Sequence, residues 1–575
     1  MEDLGRGGET QNWKEAALRW IENDPDPATH AELSDLLHVG DQSAVADHMA
    51  GDLSFGTAGL RGLLGSGSAR MNRAVVIRAS HAIAQFLVDQ QVTGPVVLGF
   101  DARRASREFA EDAAGVLAAH GLSVRFFPDP VPTPLVVYAA QRLSAAAAIV
   151  VTASHNPVGY SGLKLYGADS VQILPPTDGQ IAALIHTAPP ARRVPRVEQA
   201  FAGGHAQVKA IDQGLFVQYL NDLERWRPAV TADRNLRIVY TPLHGVGWWY
   251  ARQALFQAGY RDLYVVPEQS EPNPDFPTTP RPNPEEPGAL ERVKELGQRV
   301  GADLALINDP DADRLCVCVP DQAGQWHALD GNQIGILLAD FLLAHAALPV
   351  QVVSTIVSSP MLDAVARGYG AHMERTLTGF KWICSAGLEL ERRRAAGFLF
   401  GYEEAYGYAI PLVHDKDGIS AAVLFADLAA WCRAQGLTIR QQLERLYRRH
   451  GLWVSHQRCV SLQTTADLRI DKAMRLLTEG APQKLAGRRM ANRVDYRVGG
   501  SLRPRWVPAS DLVELRLADG SRVRIRPSGT EPKLKIYVDL FVAADPKEEL
   551  GAQEAQALSQ AQEAAEELVT WLGLS

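Results

Sequence analysis

The sequence predicts an α/β protein of several domains, and three observations carry that prediction. Short apolar runs that read as strands alternate with segments of helical spacing, the pattern of mixed sheets with crossover helices. Two such runs end in polar loops: Ala145–Val151 leads into Thr152-Ala153-Ser154-His155-Asn156-Pro157, and Ala302–Asn308 into Asp309-Pro310-Asp311-Ala312-Asp313-Arg314. The third is length. A chain of 575 residues exceeds a single core and accommodates about three to five domains.

Taken in chain order, residues before about Gly51 hold two helical patterns, near Trp13–Asn23 and Ala31–Leu37, expected to pack as an N-terminal helical extension. Helix Ala74–Asp89, strand Val96–Asp101, helix Glu108–His120 and strand Val124–Phe127 follow. Ala188–Pro195 reads as a loop or linker and Leu215–Trp226 as a connecting helix. Strand Leu236–Tyr240 opens a second α/β unit, interrupted by the Pro-dense segment Glu271–Pro287, which is expected to be ordered because proline restricts the unfolded chain. A third unit runs from about Trp326 to His450. The last contains strands near Val494–Val498, Leu512–Leu517 and Arg522–Ile525, then a helix with apolar spacing through Ala555, Leu558, Ala561, Ala565, Leu568 and Leu572. The expected boundaries are 1–50, 51–210, 211–325, 326–450 and 451–575.

Four loops carry chemistry. Ser154 stands where a strand opens into a loop, the place where open α/β sheets gather reactive groups; nucleophile, phosphate carrier and loop filler are its three readings. Asp309, Asp311 and Asp313 alternate, so three carboxylates can converge on one hard cation. An EF-hand is excluded, because its Gly and Glu positions hold Arg314 and Pro320. An Asp-nucleophile phosphatase loop is similar locally but usually carries Thr or Val in the place of Asp313. Arg526-Pro527-Ser528-Gly529-Thr530-Glu531-Pro532-Lys533 combines a forked guanidinium, hydroxyls and a glycine backbone, the parts of an oxyanion cradle. Lys533 and Lys535 fall on one side of the strand that follows. Gly401-Tyr402-Glu403-Glu404-Ala405-Tyr406-Gly407-Tyr408 places adjacent carboxylates in a Gly-bounded loop, able to accept hydrogen bonds from vicinal sugar hydroxyls. Each of these loops also has a plain structural reading, as a turn or a solvated surface.

Composition narrows the partners. Lys plus Arg is 58 against Asp plus Glu at 66, a net charge of −8, which argues against a general nucleic-acid binder. An anionic substrate must then be drawn by local cations. Cys316, Cys318, Cys384, Cys432 and Cys459 form no secreted disulfide framework. Cys316 and Cys318 are expected on one strand face as a reduced, buried pair. The first residues lack the pattern of a signal peptide and no apolar stretch reaches membrane-spanning length, so a cytoplasmic enzyme with no membrane partner is expected.

In this order the four loops resemble the α-D-phosphohexomutase superfamily, which includes phosphoglucomutase and phosphomannomutase. The resemblance extends from about Leu53 to Phe541 and takes in Gly56–Gly62, Thr241–Gly247 and Thr378-Gly379-Phe380-Lys381. It implies three related mixed α/β domains and a smaller C-terminal α+β domain around a central cleft. It also implies a phosphorylated Ser154 and Mg²⁺ held by Asp309, Asp311, Asp313 and the phosphoryl group on Ser154. Phosphate would pass between Ser154 and a sugar monophosphate through a bisphosphate intermediate, with glucose 1,6-bisphosphate as activator. Lys164 is the favoured proton carrier, a base whose pKa nearby metal and cationic groups are expected to lower, with Arg61 as its electrostatic partner and His155 as a holder of the loop. Arg314, Thr378, Gly379, Glu403 and Lys416 are assigned to substrate, with His414 a secondary candidate. Arg526, Ser528, Gly529, Thr530 and Lys533 are assigned to the phosphate that is not reacting. The chain departs from the hexose mutases at Ala405, where they commonly have Ser. With the N-terminal extension, that departure resembles the branch containing phosphopentomutases and glucose-1,6-bisphosphate synthases. The expected activity is interconversion of hexose 1-phosphate and hexose 6-phosphate, with phosphopentomutase as the alternative and a monomer or homodimer as the expected state. A non-catalytic sugar-phosphate binder and a phosphatase are the rivals from other classes.

Overall fold

The computed structural model describes residues 6–53, 55–56, 59–394, 396–461, 466–527, 533–545 and 547–574. It comprises two compact units: Met1–Arg227 with Asn235–Cys318 and Leu412–Val423, and Pro228–Arg234 with Val319–Pro411 and Leu424–Ser575. The fold is that of a four-domain α/β protein with a C-terminal domain dominated by an antiparallel sheet.

The first unit begins with three helices, Arg6–Asn23, Pro27–Val39 and Gln42–His48. The third, absent from the sequence reading, has only seven residues, too few to show a helical period, and Asp41 caps it by accepting from Ala44 N at 3.0 Å. A seven-stranded sheet follows in the order Phe55–Gly56, Gly59–Leu63, Tyr160–Tyr166, Ala147–Val151, Val96–Phe100, Val124–Phe126, Val208–Ala210. Ala147–Val151 pairs in parallel with Val96–Phe100 and antiparallel with Tyr160–Tyr166, and is wholly buried. Such burial on both faces explains its unbroken apolar sequence. In a second sheet, Leu304–Ile307 lies parallel to Arg237–Thr241 and pairs antiparallel with the strand through Cys316 and Cys318. Both cysteines are fully buried and form no disulfide among the described residues. The linker 188–195 contains a short 3₁₀ turn, Ala191–Arg193, and Arg192 Nε donates to Asp24 O at 3.0 Å.

The second unit contains a four-stranded sheet in the order His372–Thr376, Val350–Thr355, Gly397–Glu403, Gly407–Ala409. Its other sheet has six strands, in the order Leu452–Ser461, Lys533–Val542, Arg522–Pro527, Val513–Leu517, Arg488–Asp495, Lys484–Leu485. The helix Leu550–Trp571 covers that sheet with Ala561, Ala565 and Leu568, and Leu572, which caps the helix, joins the same cluster. The strand expected at 494–498 instead runs over Arg488–Asp495. The chain leaves the sheet after Asp495 because Gly499 turns it at φ +71° and Arg503 ties the carbonyls of Tyr496 and Val498. No described helix is long and apolar enough to cross a membrane.

Candidate active site

Ser154 stands three residues past the end of the strand Ala147–Val151, and its backbone adopts φ +52°, an unfavourable conformation for a residue with a Cβ. Four side chains hold it there. Its N–H donates to Thr152 Oγ1 at 2.8 Å, and its carbonyl accepts from Arg103 Nη2 at 2.7 Å. Arg103 also donates to Pro157 O at 3.0 Å and lies 3.4 Å from the Asp101 carboxylate. Asp101 accepts in turn from Thr152 and Ser106 hydroxyls, each at 2.6 Å. The Pro-dense segment contributes Phe276, whose ring centroid lies 4.8 Å from the Arg103 guanidinium.

The three aspartates follow the buried strand Leu304–Ile307, and their ligand oxygens lie within 4.8 Å of one another. Ala312 at φ +55° and the bond from Ala312 N to Asp309 O at 2.9 Å curl the loop so that alternate side chains converge. Ser154 Oγ donates to Asp309 Oδ2 at 2.9 Å, with His155 Nδ1 3.2 Å from the same hydroxyl. Lys164 Nζ donates to Asp311 Oδ2 and Asp313 Oδ2, each at 2.7 Å. Lys416 Nζ lies 3.4 Å from Asp313 Oδ2, and Thr133 Oγ1 donates to Asp311 Oδ2 at 2.7 Å. Arg314 N donates to Asp309 Oδ1 at 3.0 Å, and Arg61 Nη1 to Asn156 Oδ1 at 2.8 Å. Ser154, His155, Arg61, Lys164, Arg314, Lys416 and the aspartates are thus brought together within one unit.

The electrostatics follow from these contacts. Burial works to raise all three carboxyls. It prevails at Asp309, reinforced by its two neighbours, and that group lies well above the carboxylate range. At Asp311 and Asp313 the Lys164 ammonium outweighs burial and holds both below it. For Lys164, burial disfavours the charge, but Asp311 and Asp313 overcome it and raise the group. The ammonium therefore keeps its proton in this arrangement, where the sequence reading anticipated a lowered group. His155 is pushed well down, by burial and then by Arg314 and Arg61, and is neutral.

In the second unit Glu403 ends the strand Gly397–Glu403 and is buried, while Thr378 and Gly379 are half-buried, Gly379 at φ +117°. Glu404 Oε2 accepts from Thr355 Oγ1 at 3.1 Å and Ser358 Oγ at 2.9 Å. Arg526 Nη2 donates to Tyr537 OH at 3.1 Å, and Lys533 begins the strand beside it. Ser528, Gly529 and Thr530 lie outside the described residues. Sequence reasoning missed Asp101, Arg103 and Thr133. An Asp-x-Arg at the end of a parallel-sheet strand was the available signal for the first two, whereas Thr133 had none.

Sequence models of the family "Phosphoglucomutase/phosphomannomutase" match four stretches: alpha/beta/alpha domain I at 52–192, domain II at 217–324, domain III at 330–450 and the C-terminal domain at 483–559. A probable phosphoribomutase of Schizosaccharomyces pombe is 35% identical, covering 91% of this chain and 93% of its own. A probable phosphomannomutase of Haemophilus influenzae is also 35% identical, with 83% and 94% covered. The crystal structure of a putative phosphomannomutase from Thermus thermophilus shares the fold, with a TM-score of 0.67 over 90% of this chain and 99% of that one at 23% identity. The chain belongs to the phosphoglucomutase/phosphomannomutase family and is a phosphomutase.

Proposed function

We propose that this phosphomutase interconverts hexose 1-phosphate and hexose 6-phosphate, of glucose or mannose, through a phosphorylated Ser154. The observation that carries the reading is the Ser154 hydroxyl, 2.9 Å from Asp309 in a ring of three buried carboxylates. The ring fits Mg²⁺. Asp311 Oδ1 and Asp313 Oδ1 are buried with no hydrogen-bond partner among the described residues, an oxygen donor set for a hard cation. Asp309, Asp311, Asp313 and the oxygen on Ser154 would hold the ion, which when bound offsets the charge of the phosphoryl oxygens.

This chain's own residues then do the following. The Ser154 phosphoryl group passes to the free hydroxyl of a sugar monophosphate: the Oγ–P bond breaks, a sugar O–P bond forms, and one proton moves from that hydroxyl to Oγ. Lys164, loaded at Nζ, gives a proton to the departing Oγ and takes one from the incoming hydroxyl. Arg61 adds positive charge, and His155, neutral, holds the loop. The bisphosphate reorients and returns its other phosphate to Ser154, so glucose 1,6-bisphosphate primes the cycle. Arg314 and Lys416 bind substrate, with Thr378 and Gly379 forming the wall beside the sugar. Glu403, buried at the end of the strand Gly397–Glu403, takes the sugar hydroxyls. Arg526, Ser528, Gly529, Thr530 and Lys533 grip the other phosphate, supplying positioning energy. Domain boundaries near residues 50, 210, 325 and 450 belong to the same reading, supported by the extents of the family matches. A cytoplasmic setting is supported by five cysteines that form no disulfide among the described residues.

Pentose phosphates are the second reading, favoured by Ala405, which lacks a hydroxyl, and by the fission-yeast relative's name. One lost hydrogen bond is worth about 0.5–1.5 kcal/mol. Turnover of glucose, mannose, ribose and deoxyribose 1-phosphates, each with Mg²⁺ and a trace of glucose 1,6-bisphosphate, separates the two. Faster hexose turnover is expected; faster pentose turnover would make the second reading correct.

A further inference from the structure

Lys416 is bracketed by two buried aspartates, and each is met by a buried tyrosine. Tyr166 OH donates to Asp415 Oδ2 at 2.6 Å, and Tyr219 OH to Asp417 Oδ2 at 2.7 Å. All four side chains are buried. The tyrosines belong to distant parts of the first unit: Tyr166 lies on the strand Tyr160–Tyr166, and Tyr219 on the helix Gly214–Trp226. The aspartates belong to the short segment Leu412–Val423, which joins the same unit. Their remaining oxygens are also engaged. Asp415 Oδ1 accepts from Lys416 N at 2.7 Å, and Asp417 Oδ1 from Ile419 N at 3.0 Å and Ser420 N at 3.1 Å. Gly418 N donates to Ala312 O at 3.2 Å, so the segment also rests on the aspartate loop.

We propose that Tyr166 and Tyr219 are positioning residues that set Lys416 against Asp313 through Asp415 and Asp417. A buried hydroxyl or carboxylate left unpaired is costly, so two Tyr–Asp pairs on either side of one residue admit a single placement of the segment. Packing alone needs no hydroxyls, and phenylalanine would fill both places. The pairs flank the one lysine of the segment, whose Nζ stands 3.4 Å from Asp313 Oδ2, the oxygen that Lys164 also meets. Tyr166 is two residues beyond Lys164 on one face of one strand. The Tyr166–Asp415 bond thus ties the strand that carries Lys164 to the segment that carries Lys416, whose Nζ also lies 3.7 Å from Asp415 Oδ1. The inference rests on the mutase reading, in which Lys416 meets substrate.

The test is a double-mutant cycle with the full chain. Tyr166→Phe and Tyr219→Phe are made in the wild-type and Lys416→Met backgrounds, and kcat, KM, thermal midpoint and the Kd for glucose 1,6-bisphosphate are measured. Each Tyr→Phe change is expected to lower kcat/KM by about tenfold in the wild type and by less than about twofold beside Lys416→Met. Asp415→Asn, which keeps an acceptor for Tyr166, is expected to retain more activity than Asp415→Ala. Equal losses in both backgrounds, or no loss in either, would overturn the proposal. Should one tyrosine variant fail to fold, the other carries the cycle. A chain that turns over no sugar phosphate at all contradicts the mutase reading instead, and the same cycle then decides this inference through bisphosphate affinity.

Discussion

At the scale of single residues, Ser154 is kept in a backbone conformation that costs a non-glycine residue about 1–3 kcal/mol. A closed ring supplies the restraint: Asp101 accepts from Thr152, Thr152 accepts from Ser154 N, Ser154 O accepts from Arg103, and Arg103 faces Asp101. Burial pushes the Asp101 carboxyl up while the Arg103 charge pulls it down. Arg103→Met removes that charge and leaves a buried carboxylate unanswered, a change that costs about 3–5 kcal/mol. Equilibrium denaturation should show this loss, together with collapse of turnover. The loss carries a pH signature. A carboxyl raised in the folded state adds stability fully present below its unfolded pKa and lost as pH rises through the folded value. The deficit of the variant is therefore largest near neutrality and shrinks toward the ordinary carboxylate range. A variant as stable and active as the wild type would show that Arg103 merely fills space.

At the scale of elements, the aspartate loop is shaped by close backbone neighbours as well as by its own turn. A Cβ on Gly245 would collide with the backbone of Pro310, and one on Gly418 with Arg314 O, Ala312 O and Asn308 Nδ2. Neither glycine has a positive φ, so what each supplies is room. The loops on both sides also hydrogen-bond to it, Val246 N donating to Pro310 O at 2.9 Å and Asn308 Nδ2 to Gly418 O at 3.2 Å. Gly245→Ala should push Pro310 away and spread the three carboxylates. Overpacking of this kind costs about 1–3 kcal/mol, and Mg²⁺ affinity should fall with it. A Mg²⁺ titration and a thermal midpoint both unchanged would show that the loop holds its shape without this contact.

At the scale of the molecule, what was legible in the sequence is what is written locally. Runs such as Ala145–Val151 and Ala302–Asn308 announced buried strands, and the loops behind them hold the serine and the three aspartates that the structure brings together. Partnerships between distant residues left no such mark. Arg103 and Ser154 lie 51 positions apart, and Tyr219 and Asp417 lie 198 apart. Membership of Leu412–Val423 in the first unit is equally invisible, because its pairing side chains sit on a strand and a helix far upstream. The direction of the Lys164 shift was misjudged for the same reason: two carboxylates 147 and 149 residues away decide it. Ser154 is the proposed carrier of the phosphate. The most direct test is to incubate the protein with Mg²⁺ and glucose 1,6-bisphosphate and locate the bound phosphate by peptide mass spectrometry. One phosphate is expected, on Ser154, discharged to a sugar monophosphate and absent in Ser154→Ala. Phosphate on another residue, or full turnover by Ser154→Ala, would contradict that role.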